Sequence, residues 1–473
     1  MSSTFGSLNT AYSGLVAARR AIDVAGQNIA NVNTEGYTRQ RVEQSSINGA
    51  QKAGLGIVRS PQPGAGVEVT GITRMGDTFL ESQVRKTASQ SSYAETRATA
   101  LVNLESGINE PSDNGISATL QRFWTSWGDL ANNPGAAAPS FAVIENASML
   151  RSQLASGYDR VEAQWNGEYA KLPLAVEELN NLSEELATIN GFIQEASRSG
   201  ASINELIDKR NLAASKISAL AGGTFQEESD GTLTVSIGGG VLVDGTEAKL
   251  VALGGGSTMD GTAPQLEWAS RPGSIVSLEG GELAANISLL APSNASGTGG
   301  ILAETAKTYS TIATEVATQV NAIHSNAYTT SGVTGLDFFS LTAGVPAAKG
   351  LNVIPTDGTT IASGGAGLGP LDGSAADQIS LISKQAGSPD SIWGSLVAKI
   401  ASSTRSEVQQ SNLADLTFNV AVSNLQSASS VDMDEESLNL MTAQTAYQAA
   451  ARALTAVDEM LDTLINRMGL VGR

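Results

Sequence analysis

The chain of 473 residues has no cysteine, a single histidine, and only 16% charged residues. Without thiols there is no disulfide framework, no zinc site of the thiolate type and no thiol nucleophile. One histidine, His324, is too few for most metal sites. In its helical setting, Val320-Asn-Ala-Ile-His324, it reads as a packing or capping residue rather than a catalytic base. No Gly-Lys pair is available for a phosphate loop, and no Gly-x-Gly-x-x-Gly occurs among the 50 glycines, which read as turns. No apolar run approaches the 18 residues needed to cross a bilayer, and the N-terminus lacks the basic and apolar regions of a cleaved signal. On these signals alone the protein would be placed in the cytoplasm. The net charge of −19 argues against nucleic acid or an anionic membrane as partner. The expectation is a chain with no catalytic centre, no cofactor and no metal.

What is present is periodicity at both ends. Leu8, Leu15, Ile22 and Ile29 recur every seven residues, interleaved with Ala11, Ala18, Ala25 and Val32. More than 400 residues later Leu440, Tyr447, Leu454, Leu461 and Met468 do the same, interleaved with Ala443, Ala450, Val457, Leu464 and Val471. Each set is an apolar seam that needs a partner helix, and each end is the simplest partner for the other. Leu8, Leu15, Ile22, Ile29, Leu440, Tyr447, Leu454, Val457, Leu461 and Leu464 are therefore the candidate interface.

Between the ends, the first helix starts at Ser3 or Thr4 and runs to about Asn33, with Gly36 placed to close it in the left-handed conformation. An extended segment follows, with turn signals from Gly54 to Gly66. Helical periodicity returns at 78–108, 116–130, 140–196 and 203–220; Pro173 should kink or restart the third of these. Trp124 and Trp127 share a helix face and read as core. Asn204, Asp208 and Arg210 read as surface ion pairs and caps. Residues 222–290 alternate as strands, 300–327 form a helix, and 331–388 read as loops or small strands. From Ser391 the chain is helical with a break near 427–432, where Asp432 and Glu435 make a capping-box-like restart.

The fold expected is mainly α with inserted β, an elongated multidomain rod. Residues 1–44 with 428–473 would form a terminal coiled-coil domain. Residues 45–222 with 298–330 and 389–427 would form a helical bundle. Residues 223–297 would be a β-rich segment, and 331–388 a loop- or β-rich outer module.

The stretch Gln27-Asn28-Ile-Ala-Asn31-Val-Asn33-Thr34-Glu-Gly36-Tyr37-Thr-Arg39-Gln40 closely resembles the N-terminal signature of the bacterial flagellar axial proteins, the rod, hook and hook-associated family. In this chain the signature rests on Asn28, Asn31, Asn33, Thr34, Gly36 and Tyr37. Val431-Asp-Met-Asp-Glu-Glu436 and Leu440-Met-x-x-Gln444-x-Ala446-Tyr447 resemble the family's terminal helix. Trp127-x-x-Leu130-Ala-Asn132-Asn133-Pro134, Asn204-Glu-Leu-Ile-Asp208-Lys-Arg210, Gly280-Gly-Glu-Leu283 and Asn321-Ala-Ile-His324 are similar to its hook-associated members. The resemblance implies a non-enzymatic adaptor between hook and filament, exported by the flagellar type III pathway and extracellular after a cytoplasmic stage. It implies as partners copies of itself in a ring, the hook protein, the next hook-associated junction protein, and a cytoplasmic export chaperone on the C-terminal helix, with neither nucleic acid nor membrane among them. A hook or distal-rod protein of the same family is the alternative; a hydrolase or adhesin carried on a flagellar scaffold is a more distant one.

Overall fold

The computed structural model describes residues 4–47, 66–369 and 371–463. Two long helices close the chain on itself: α1 (Thr4–Ala30) packs against α11 (Met433–Asp462). Strands β1 (Gln40–Ser46) and β2 (Val67–Arg74) pair antiparallel beside them, with a bulge between Glu43 and Gln44. Asp77 accepts from the backbone N–H groups of Phe79 and Leu80 and so starts α2 (Thr78–Ile108). That helix pairs along its length with α10 (Pro389–Ser429), and α3 (Ile116–Asn132), α4 (Ala137–Ser199), α5 (Asn204–Ala221) and α7 (Ile301–His324) complete the bundle.

At 63 residues α4 is roughly 95 Å long, which makes the molecule elongated. It continues through Pro173, where the sequence predicts a kink or restart. Pro173 lies on the exposed side, between buried Leu172 and buried Ala175 and Val176. Water can therefore solvate the carbonyl that loses its partner, while apolar packing on the other face holds the axis together.

The β-rich segment is two small antiparallel sheets, and a single asparagine of α4 bonds each of them. Strands β3 (Thr224–Glu227), β4 (Leu233–Ile237), β5 (Gly240–Asp244) and β6 (Glu247–Ala248) form the first; β7 (Val251–Gly255), β8 (Pro264–Trp268) and β9 (Arg271–Ile275) form the second. Asn190, fully buried, donates to the carbonyls of Leu233 (3.0 Å) and Gly245 (2.8 Å) and accepts from Leu233 N (3.0 Å). Asn180 bonds both the N–H and the carbonyl of Val251 at 2.9 Å. The end of the segment is helical rather than extended: α6 (Gly281–Leu289) packs on α2 and α5.

Residues 331–388 hold short strands, as the sequence suggests, together with two short helices, α8 (Ala347–Gly350) and α9 (Ser374–Ser380). Phe338, Phe339, Leu351, Ile361 and Ile379 are buried in the same apolar cluster as Phe123, Trp127, Trp165 and Tyr309 of the bundle. The segment thus shares the bundle core. Gly157 allows this core to close, because a side chain there would meet the ring of Tyr309.

His324 sits wholly inside, beside Trp127 and Phe338. Its Nδ1 donates to the carbonyl of Leu336 (2.6 Å) and its Nε2 accepts from Ala362 N (2.9 Å), a pattern that requires the neutral ring. Burial lowers its pKa below the ordinary value of 6.5, outweighing the Leu336 bond and Asp337. The unfolded chain therefore takes up a proton at a pH where the folded chain does not, so this contribution is full above about pH 6.5 and is lost as the pH falls below it. We expect the single imidazole signal in a proton NMR titration to stay neutral below pH 6.5. The advantage of the native chain over His324→Gln in urea unfolding should shrink over the same range.

Candidate assembly interface

Helix α11 runs antiparallel to α1, Asn28 meeting Glu436 at one end and Gly14 facing Ala450 further along. The deepest apolar residues of the pair are small: Ala17, Ala18, Val24 and Ala25 on α1, and Ala443 and Val457 on α11. Alanines let the two backbones approach closely but bury little area each. Most of the large seam residues lie beside that contact. Leu8, Leu15, Ile22 and Ile29 on α1 and Leu440, Leu454 and Leu461 on α11 are half-buried, Tyr447 is exposed, and Val457 is buried. Leu464 lies outside the described residues. Leu438, Met441 and Met460 point to solvent, at 63%, 65% and 54% exposure. A groove of about 580 Å³ runs between the pair and the hairpin, walled by Ala17, Ala21 and Val24 on one side and Asn439, Ala443 and Ala446 on the other.

The signature residues build the corner that follows α1. Thr34 Oγ donates to Asn31 Oδ1 (3.1 Å), and Asn31 Nδ2 donates back to the carbonyl of Gln27 (3.0 Å). Asn33 is exposed on this turn. Gly36 takes φ +78°, a conformation that residues with a side chain rarely adopt. Asn28, 1% exposed, accepts from Tyr37 Oη (2.9 Å) and Gln40 N (3.0 Å) through Oδ1. Its Nδ2 donates to the carbonyl of Gln40 (2.9 Å) and to Glu436 Oε2 (3.1 Å). One asparagine thus holds α1, β1 and α11. Burial, and then the negative charges of Asp208, Glu205 and Glu436, push the Tyr37 hydroxyl up to about 12, so it stays a donor.

Asp432 starts α11, accepting from Asp434 N (2.9 Å) and Glu435 N (3.0 Å). The Glu435 carboxylate is engaged elsewhere, on Arg39 (2.9 Å), so its side chain serves the α1 corner. Arg39 also binds Glu436 at 2.8 Å.

A second polar cluster joins this corner to the bundle. Asp208 accepts from Thr38 N (3.0 Å) and from Arg74 Nε (2.6 Å), and Arg74 reaches Glu81 (2.7 Å). Asn204 donates to the carbonyl of Ile72 (3.0 Å). Arg210 is 1% exposed, bonded to Gly231 O, to Asn211 Oδ1 (3.0 Å) and to Glu227 (3.2 Å). Asn204, Asp208 and Arg210 are therefore buried connectors, not the surface ion pairs and caps that their spacing suggests. The sequence did carry a signal. Asn204, Asp208 and Asn211 stand at i, i+4 and i+7, a single helix face, and all three are less than 9% exposed. Arg39, Arg74, Glu81 and Glu436 carry no such local signal, because their partners are distant in sequence.

Among the described residues no group of acidic, histidine or cysteine side chains is placed to hold a metal, and no helix is long and apolar enough to cross a membrane.

The ends and the middle of the chain each match known proteins. Residues 8–38 match the flagella basal body rod protein model, and residues 423–468 match the C-terminal model of the flagellar basal body rod FlgEFG proteins. Those two matches cover the paired helices and define a protein of the flagellar axial class. Residues 101–339 match the flagellar hook-associated protein FlgK helical domain. The chain belongs to the FlgK family of flagellar hook-associated proteins. It is 29% identical to flagellar hook-associated protein 1 of Bacillus subtilis, over the whole of both chains. It is also 29% identical to the protein of that name from Salmonella typhimurium, over 71% of this chain and 59% of that one. The flagellar hook junction protein FlgK from Burkholderia pseudomallei shares the fold, with a TM-score of 0.63 at 15% identity, over 73% of this chain and all of that one.

Removing Asp208 would leave the Thr38 N–H without its acceptor and Arg74 with one carboxylate. Asp208→Ala should cost about 3 kcal/mol in urea unfolding, and Asp208→Asn, which keeps an acceptor, less. Hydrogen exchange in the hairpin should rise in both.

Proposed function

We propose that this chain is a structural subunit at the junction between flagellar hook and filament, assembled through its terminal helices. The observation that carries the reading is the α1–α11 pair. It joins the two ends of the chain by a thin alanine contact and leaves most of its large seam residues half open. A helix pair of this kind gains most of its burial from neighbours, as subunits stack around a common axis. Copies of the chain in a ring are the first partners. The hook protein contacts one side of that ring and the next hook-associated junction protein the other. The role is mechanical rather than catalytic.

Export through the flagellar type III pathway suits a chain whose end helices are weakly held and which carries no thiol to cross-link on the way. Before export a cytoplasmic chaperone covers the C-terminal helix, where Leu438, Met441 and Met460 would otherwise lie open. The protein then works outside the cell, as part of the flagellum.

Ile22→Asp or Leu454→Asp should abolish incorporation into the junction while leaving the melting of the bundle unchanged. A normally assembled mutant, seen by immunogold labelling of isolated hook–basal bodies, would contradict the seam. In hydrogen exchange, the amides of α1 and α11 in the monomer should exchange faster than those of α3 and α4, and become protected in the assembled joint.

A further inference from the structure

A polar cluster ties the start of α11 to the α1 corner. The buried residues of α11 are Glu436, Ala443 and Val457, and its one extensive packing partner among the described helices is α1. Residues 430–432, between α10 and α11, are not helical. Three sets of bonds from the α1 corner converge on this connection. Arg39 N donates to the carbonyl of Ser429 (2.9 Å), the Arg39 guanidinium spans Glu435 (2.9 Å) and Glu436 (2.8 Å), and Asn28 Nδ2 holds Glu436 Oε2 (3.1 Å).

We propose that Arg39 is the latch that sets whether α11 is docked on α1 or released about residues 430–432. The two carboxylates do different work. Glu435 is 56% exposed, so water and salt screen its share. Glu436 is 3% exposed and cannot remain docked as an anion without the cation beside it. That uncompensated charge would oppose the apolar contact along the rest of the helix. Arg39 therefore biases the balance between docked and released α11. Arg39 is a positioning residue, acting through Glu436. The latch rests on this geometry and does not depend on the function proposed above.

The test is hydrogen exchange on the full chain, where Arg39→Met keeps the apolar stem and removes the charge. Amides of α11 should exchange at least about tenfold faster, with those of α3 and α4 unchanged. Arg39→Lys, a point charge without the fork, should fall between, and Glu435→Gln should match the native chain. Equal α11 exchange in native and Arg39→Met chains overturns the latch, as does equal acceleration of the bundle. The absence of cysteine permits a second arm. A Cβ at Gly14 would lie 4.0 Å from that of Ala450, within the span of about 3.5–4.5 Å of a disulfide. Oxidised Gly14→Cys/Ala450→Cys should restore α11 protection in the Arg39→Met background, and failure to do so overturns docking as the quantity the latch controls.

Discussion

Asn28 and Glu436 are 408 residues apart in sequence and 3.1 Å apart in space, and the architecture depends on that contact. The amide group of Asn28 bonds the backbone of β1 on both its N–H and its carbonyl, and spends its remaining donor on α11. A buried amide with four bonds to make tolerates few arrangements around it, so the corner fixes where the hairpin leaves α1 and where α11 arrives. Arg39 supplies the charge that lets Glu436 be buried there. The signature seen in sequence is thus the recipe for a polar corner, and the heptads on either side are the less specific part of the contact.

The same economy recurs at the boundary with the bundle. Charged residues are scarce in this chain, yet Arg74, Glu81, Asp208 and Arg210 are drawn inward to one place, where α2, α5 and the hairpin meet. Removing one member leaves a buried neighbour short of a partner, so the cluster favours a single relative placement of the parts. Apolar contacts between helices are less particular. Angle and register are set by the polar joint, and cohesion by the apolar core beneath it.

Much of this was legible in the sequence because the signals are local and repeated. Helices α2, α3, α5 and α7 and the break before α11 follow from periodicity, caps and Gly/Pro punctuation, and Gly36 from the need for a left-handed residue. Three features were not legible. The continuity of α4 through Pro173 depends on which face meets water, and α6 reads like the strands before it because nine residues carry little period. The partners of buried Asp208, which are Arg74 and Thr38, stand more than 130 residues away. For the candidate interface, sequence located the helices and the motif, while the depth of each seam residue emerges from how closely alanines allow the backbones to come.

The length of α4 turns the polar joint into a fulcrum. With an arm of roughly 95 Å, a rotation of one degree near the α4–α5 turn would displace the far end by about 1.6 Å, the scale of a helix sliding against its neighbour. A joint that favours one placement therefore fixes the far end of α4 as well, and with it the surface that this end presents.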